Sequence, residues 1–132
     1  VIGPDVDAEL LASVVAQRLE TDYDVFEKKR LGAEKVEMRP RRSDAKNRDI
    51  LIVDDIISTG GTIVGALKIV FAQGACKAAV ACSHPILVGG ALGKIYEAGA
   101  EKVIGTDTVA SPISYVSVAS LIADELRRAR LS

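Results

Sequence analysis

The stretch from Asp49 to Thr62 limits this chain to very few architectures. Ile50, Leu51, Ile52 and Val53 form an apolar run without the alternation of a half-solvated strand, as in a strand covered on both faces. The run meets two carboxylates, Asp54 and Asp55, then Ile56 and Ile57, and passes into Ser58-Thr59-Gly60-Gly61-Thr62. An apolar helix pattern follows at once. A buried strand that turns through glycines into a helix is one βα unit, and such units build a sheet with helices on its faces. The small residues 58–62 let backbone N–H groups approach an anion, and the helix starting there adds its positive end. Twin acids beside an anion cradle suit a ligand with both phosphate and hydroxyl groups, such as a sugar phosphate. Glycine turns also occur without ligands, and an Asp at a strand end also serves as a helix cap. It is the ordered combination of strand, paired Asp, small polar turn and helix that marks a site.

The rest of the chain repeats this alternation. Asp5 or Asp7 caps a helix to about Glu20, with Leu11, Val14, Val15 and Leu19 on one face. Residues 23–26 read as a short strand. From Lys28 to Asn47 the chain is charged, holds Gly32 and Pro40, and shows no sustained period, as expected of a functional lid. Arg39, Arg41 and Arg42 fall within it. A helix spans 62–73 and stops at Gly74. Residues 78–82 form a strand, and residues 87–98 a helix with Val88, Leu92, Ile95 and Tyr96 as its apolar stripe. A strand at 102–104 and an edge strand at 115–116 lead to a last helix. Ser117 caps it, Leu121, Ile122 and Leu126 face the core, and Arg127, Arg128 and Arg130 sit at its negative end. The expected fold is a three-layer α/β domain, one unit over residues 1–132. Its parallel sheet has right-handed crossovers, with ligands beyond the strands' carboxyl ends.

Composition narrows the partners. A chain of 132 residues, 48% of them hydrophobic, suffices for one domain with a real core. With 17 basic and 18 acidic residues, nothing draws it to nucleic acid or a membrane surface. No run approaches the ~20 apolar residues of a membrane span. Two cysteines without metal spacing and no visible secretory signal suggest a reducing cytoplasm. Cys82 reads as a core thiol, and His84, the single histidine, as structural rather than a zinc ligand. Asp107, between Thr106 and Thr108, reads equally as a turn or as a sugar contact.

The segment from Val53 to Thr62 resembles the phosphoribosyl-binding loop of the type I phosphoribosyltransferase fold. Together with Gly3-Pro4-Asp5, Glu27-Lys28-Lys29-Arg30, residues 81–87 and Gly105-Thr106-Asp107-Thr108, it resembles the C-terminal half of ribose-phosphate pyrophosphokinases, archaeal members above all. That family transfers pyrophosphate from ATP to the 1-hydroxyl of ribose 5-phosphate, giving PRPP and AMP. The resemblance implies that Ser58, Thr59, Gly60, Gly61 and Thr62 hold the 5-phosphate and that Asp54 and Asp55 accept from the ribose hydroxyls. It further implies Lys28 and Arg30 as the catalytic lysine and its companion on the lid, Arg30 also reaching the substrate, and Asp5 as a ligand of Mg²⁺. It implies a homo-oligomer, and a preceding N-terminal half that supplies much of the ATP site. The chain beginning within an apparent strand at Val1-Ile2 agrees with that expectation. One departure stands out. Val6-Asp7-Ala8 replace the glycine pair and basic residue that follow this Asp in the family.

Two other functions share the loop. One is a phosphoribosyltransferase that consumes PRPP, although no group of aromatic residues is placed to stack a base. The other is a non-catalytic relative that binds PRPP or ribose phosphate for regulation.

Overall fold

The computed structural model describes residues 1–33 and 36–129. Among these, seven strands form one sheet in the order β3-β2-β1-β4-β5-β6-β7. In chain order the elements are β1 (Ile2–Gly3), α1 (Glu9–Arg18), β2 (Asp24–Arg30), β3 (Val36–Pro40), β4 (Asp49–Ile57) and α2 (Gly61–Ala72). They continue with β5 (Lys77–Pro85), α3 (Ala91–Glu97), β6 (Lys102–Thr106), β7 (Ser114–Val116) and α4 (Ala119–Arg128). All neighbouring pairs are parallel except β2 and β3. The α/β layering expected from the alternation is present.

Apolar pattern explains the centre. Ile50, Ile52, Ala78, Val80, Cys82 and Val103 share one cluster with Ile63, Ala66, Leu67 and Val70 of α2 and Ile95 of α3. Each large aliphatic side chain removed from water there contributes about 1.5–3 kcal/mol. The helix stop at Gly74 is confirmed, with φ +91°. Phe71 is partly buried and packs against this core. A Cβ added to Gly99 would lie 2.8 Å from its ring.

Four expectations are corrected. First, α1 seats on β1, β2 and β4 chiefly through Ala12 and Ala16, with Ala8 buried just before it; of the expected face Leu11 and Val15 are half-buried, whereas Val14 and Leu19 face solvent. Alanine lets the helix lie close to the sheet, so the large apolar residues only flank the inward face. Second, the segment read as an unpatterned lid is mostly a β-hairpin, β2 running to Arg30 and pairing with β3, Lys28 opposite Met38 and Arg30 opposite Val36. Third, α3 begins at Ala91, because Leu87, Gly89 and Gly90 take positive φ and cannot continue a helix. Val88 and Tyr96 are exposed, leaving Ala91 and Ile95 as its buried side. Fourth, α4 buries nothing: Leu121 (62%), Ile122 and Leu126 are exposed. Val118 is its capping residue, although the Ser117 hydroxyl does accept from the Ala119 N–H at 3.3 Å. Arg130 lies outside the described residues.

Candidate functional site

The chain leaves β1 toward α1 and β2 on one side and leaves β4 toward α2 and β5 on the other. The carboxyl ends of β1 and β4 therefore border the crevice at which a doubly wound sheet changes direction, where such folds bind ligands. β1 ends at Gly3, before the buried Pro4, while β2 and β4 both continue. Ile2 pairs with Asp24 on one side and Ile52 on the other. Counting onward, Asp54 stands level with Pro4, Lys28 with Ile56, and Arg30 with Ser58. With neighbouring strands about 4.8 Å apart, β2 and β4 flank a gap of about 10 Å above β1.

The turn at 58–62 forms one wall. Gly60 adopts φ +80°, and a Cβ there would lie 3.3 Å from the Ala91 Cβ and 3.4 Å from Ile95 Cδ1. Glycine is required at 60 by both conformation and packing. Gly61 is different, since nothing lies closer than 3.9 Å to a Cβ built on it. Leu87 and Val88 donate their N–H groups to the carbonyls of Ile57 and Ser58, both at 3.0 Å, and Val64 N–H donates to Gly60 O at 2.9 Å. The turn's carbonyls are thus tied down. Its donors are not: α2 has no side-chain cap, and the N–H groups of Thr59, Gly60, Gly61 and Thr62 meet no backbone acceptor outside regular structure among the described residues. These residues line a hollow of about 150 Å³ with Asp54 and Ile57. Open helix-start N–H groups form a ready anion site.

Carboxylates form the second wall. Asp55 is exposed and Asp54 half-buried; the Asp55 N–H donates to Asp54 Oδ1 at 2.9 Å. Burial first, then interaction with Asp55 and the charge of Asp5, pushes the Asp54 carboxyl up to about 7. Asp5, at the end of β1, is therefore close enough to Asp54 to repel it. Asp5 also caps the short 3-10 turn Val6–Ala8, its Oδ1 accepting from the N–H groups of Asp7 (3.0 Å) and Ala8 (3.3 Å). Those two amides, which follow the departed glycine turn, are directed at Asp5. Among the described residues no three His, Cys, Asp or Glu side chains are grouped to enclose a metal.

Lys28 and Arg30 stand apart from both walls. They lie on the exposed stretch of β2, paired only to β3, and make no ion pair among the described residues. The structure thus sets Asp54 in one hollow with residues 58–62, with Asp55 next to it and Asp5 just after β1, and places Lys28 and Arg30 on the outer stretch of β2. The other residues singled out in the sequence take definite places in the fold. Cys82 is buried, and burial together with the Asp54 charge pushes its thiol up to about 11; Cys76 is exposed. His84 Nδ1 lies 2.8 Å from Thr108 Oγ1, and Asp107 is a turn residue whose Oδ1 accepts from the Val118 N–H at 2.9 Å. Sequence reasoning missed the buried Asp24, whose polar partners lie 18 and 19 positions away in the chain.

Comparison with known proteins agrees with this fold. Residues 1–104 match the phosphoribosyl transferase domain family. The chain is 47% identical over 127 residues to the ribose-phosphate pyrophosphokinase of Methanothermobacter thermautotrophicus, covering 96% of this chain and 45% of that protein. Against the Methanopyrus kandleri enzyme of the same name it is 43% identical, covering 94% and 43%. The phosphoribosylpyrophosphate synthetase structure from Mycobacterium smegmatis superimposes with a TM-score of 0.78 at 28% identity, over 98% of this chain and 44% of that one. An adenine phosphoribosyl transferase from Trypanosoma brucei, in complex with AMP, pyrophosphate and ribose-5-phosphate, shares the fold at TM-score 0.62 and 22% identity. The chain spans somewhat under half the length of the curated relatives it matches.

Proposed function

The chain belongs to the phosphoribosyl transferase domain family, and from that premise we propose that it carries the ribose 5-phosphate half of a PRPP-forming site. In this reading the 1-hydroxyl oxygen of ribose 5-phosphate attacks the β-phosphorus of ATP, the bond to the α-phosphate oxygen breaks, and AMP leaves. The observation that carries it is the open-donor turn beside twin carboxylates at the sheet's switch point. The relatives' names, ribose-phosphate pyrophosphokinase, supply the reaction.

The N–H groups and hydroxyls of residues 58–62 hold the 5-phosphate. Asp54 and Asp55 accept from the ribose hydroxyls and so fix the 1-hydroxyl, each charge-assisted bond contributing about 1.5–3 kcal/mol. Lys28 and Arg30 close over the phosphates; transfer of this kind depends on positioning and charge neutralisation, which mobile cations supply. The crowding of Asp5, Asp54 and Asp55 suits a hard cation, and Mg²⁺ would take one or two of these carboxylates plus phosphate oxygens and water. When bound, Mg²⁺ neutralises developing phosphate charge. A further half completes the ATP site, within a cytoplasmic homo-oligomer. Among the described residues no helix is long and apolar enough to cross a membrane.

The regulatory reading keeps one observation in its favour. The amides after Asp5 are taken up by that carboxylate instead of facing a glycine-lined pyrophosphate pocket. AMP formation by the full-length protein from ATP and ribose 5-phosphate decides the matter. Pyrophosphate release that depends on a free base identifies a transferase, and sugar-phosphate binding with neither reaction identifies the regulatory relative.

A further inference from the structure

The arm that carries Lys28 and Arg30 has an unusual root. Over residues 24–26 β2 is buried, its first two residues pairing with β1; over 28–30 it is exposed and pairs only with β3. Beyond β1 it is a two-stranded ribbon, which has little stability of its own in water. Its direction must therefore come from where it joins the sheet.

At that junction sits Asp24, 3% exposed and the one buried charged side chain among the described residues. Its Oδ2 accepts from Arg42 N–H (2.8 Å), Ser43 N–H (2.7 Å) and the Ser43 hydroxyl (2.8 Å), and its Oδ1 from Val25 N–H (2.8 Å). One carboxylate at the start of the outgoing strand thus grips the chain where the returning strand ends. A buried charge is retained only when its hydrogen bonds are met, and here backbone and hydroxyl donors meet them. Next to it, Arg41 bonds Glu27 on the arm and Glu9 on α1 (2.9 Å), and its N–H donates to Val25 O at 3.0 Å.

We propose that Asp24 is a positioning residue: by clasping Arg42 and Ser43 it sets the angle at which the hairpin leaves the sheet, and so places Lys28 and Arg30 over the substrate. This rests on the reaction proposed above. Neither Asp24 nor the residues it grips lines the hollow at residues 58–62, so its loss should disturb the transfer step far more than sugar binding. Misplacement of a reacting group by about 1 Å lowers rates by up to about 100-fold.

The test uses the full-length protein with Asp24→Asn and Asp24→Ala, and Val103→Ala, in β6 far from the arm, as a control for lowered stability. Expected for the Asp24 variants is a kcat about 10- to 100-fold lower with KM for ribose 5-phosphate within about twofold. Amide exchange at residues 28–30 and 37–39 should quicken, while exchange in β5 stays as in the parent. The asparagine variant, which keeps one acceptor oxygen, should fall between the parent and alanine. Wild-type kcat and arm exchange in Asp24→Asn would overturn the proposal, as would a loss of kcat no greater than in Val103→Ala. If alanine fails to fold, the asparagine variant decides alone. A parent protein that forms no AMP would instead refute the reaction, and arm exchange then tests by itself whether Asp24 holds the hairpin.

Discussion

The phosphate turn and the cationic hairpin flank the same gap but are built on opposite principles. The turn is braced from every side: Leu87 and Val88 hold its carbonyls, and α3 packs against Gly60. The hairpin is held at its root, by Asp24 and Arg41, and its outer residues are exposed. Binding a phosphate profits from donors fixed in advance, since no ordering cost then falls on the ligand. Closing over a phosphate chain needs an element free to move. If the proposed roles hold, the contrast teaches that rigidity is placed by task, with recognition on the packed wall and charge delivery on the exposed arm.

Substitutions can break or sharpen that contrast. The largest effect is expected from Lys28→Ala in the full-length protein. Turnover should drop about 10²–10³-fold, with the melting temperature unchanged because the side chain is exposed and makes no ion pair among the described residues; a clear fall in melting temperature would mean the arm is structural. Gly60→Ala should do the reverse and cost about 2 kcal/mol of stability, from positive φ and the Ala91 contact, read from denaturant midpoints. If it is neutral, the wall is softer than described. Asp54→Ala should weaken ribose 5-phosphate binding at least tenfold, and unchanged affinity by calorimetry would remove the sugar-reading role.

Smaller effects follow from charge and shape. Folded Asp54 holds its proton up to about pH 7, against an ordinary value of 3.8. Its contribution to stability is complete below the ordinary value and lost as pH rises through about 7. The ligand-free parent should therefore lose more stability than Asp54→Asn between pH 5 and pH 8; parallel curves would show that the carboxylates are not crowded. Last, Gly61→Ala should change stability by no more than about 0.5 kcal/mol, because its Cβ meets open space. A large loss would show that the wall needs both glycines for folding.

How far the sequence was legible depends on periodicity. Residues 50–53 and the turn that follows were readable because a two-sided buried strand and a glycine turn leave unmistakable patterns. The hairpin was not. Its charged outer strand residues face water, so no apolar alternation marks them, and its pairing is with residues ten positions distant, such as Lys28 with Met38. In α1 the pattern was present but misleading, since the sheet receives chiefly Ala12 and Ala16 while larger apolar residues flank them or face out. In α4 the apolar stripe was read correctly as a stripe and wrongly as core, because periodicity says which residues share a face and not what that face meets. The acids and the turn were legible as a set; the clasp at Asp24 was hidden because its partners are mostly backbone groups, which carry no residue signature.

The brevity of β1 has one more consequence. Proline lacks the N–H that a continuing strand would need to donate, so Pro4 halts β1 while its neighbours β2 and β4 climb past it. A sheet otherwise closed edge to edge is left with a notch one strand wide, and the ligand's girth is limited by a residue that contributes no polar side chain to grip it. Lengthening that strand would plug the notch as surely as removing an acid would blunt it.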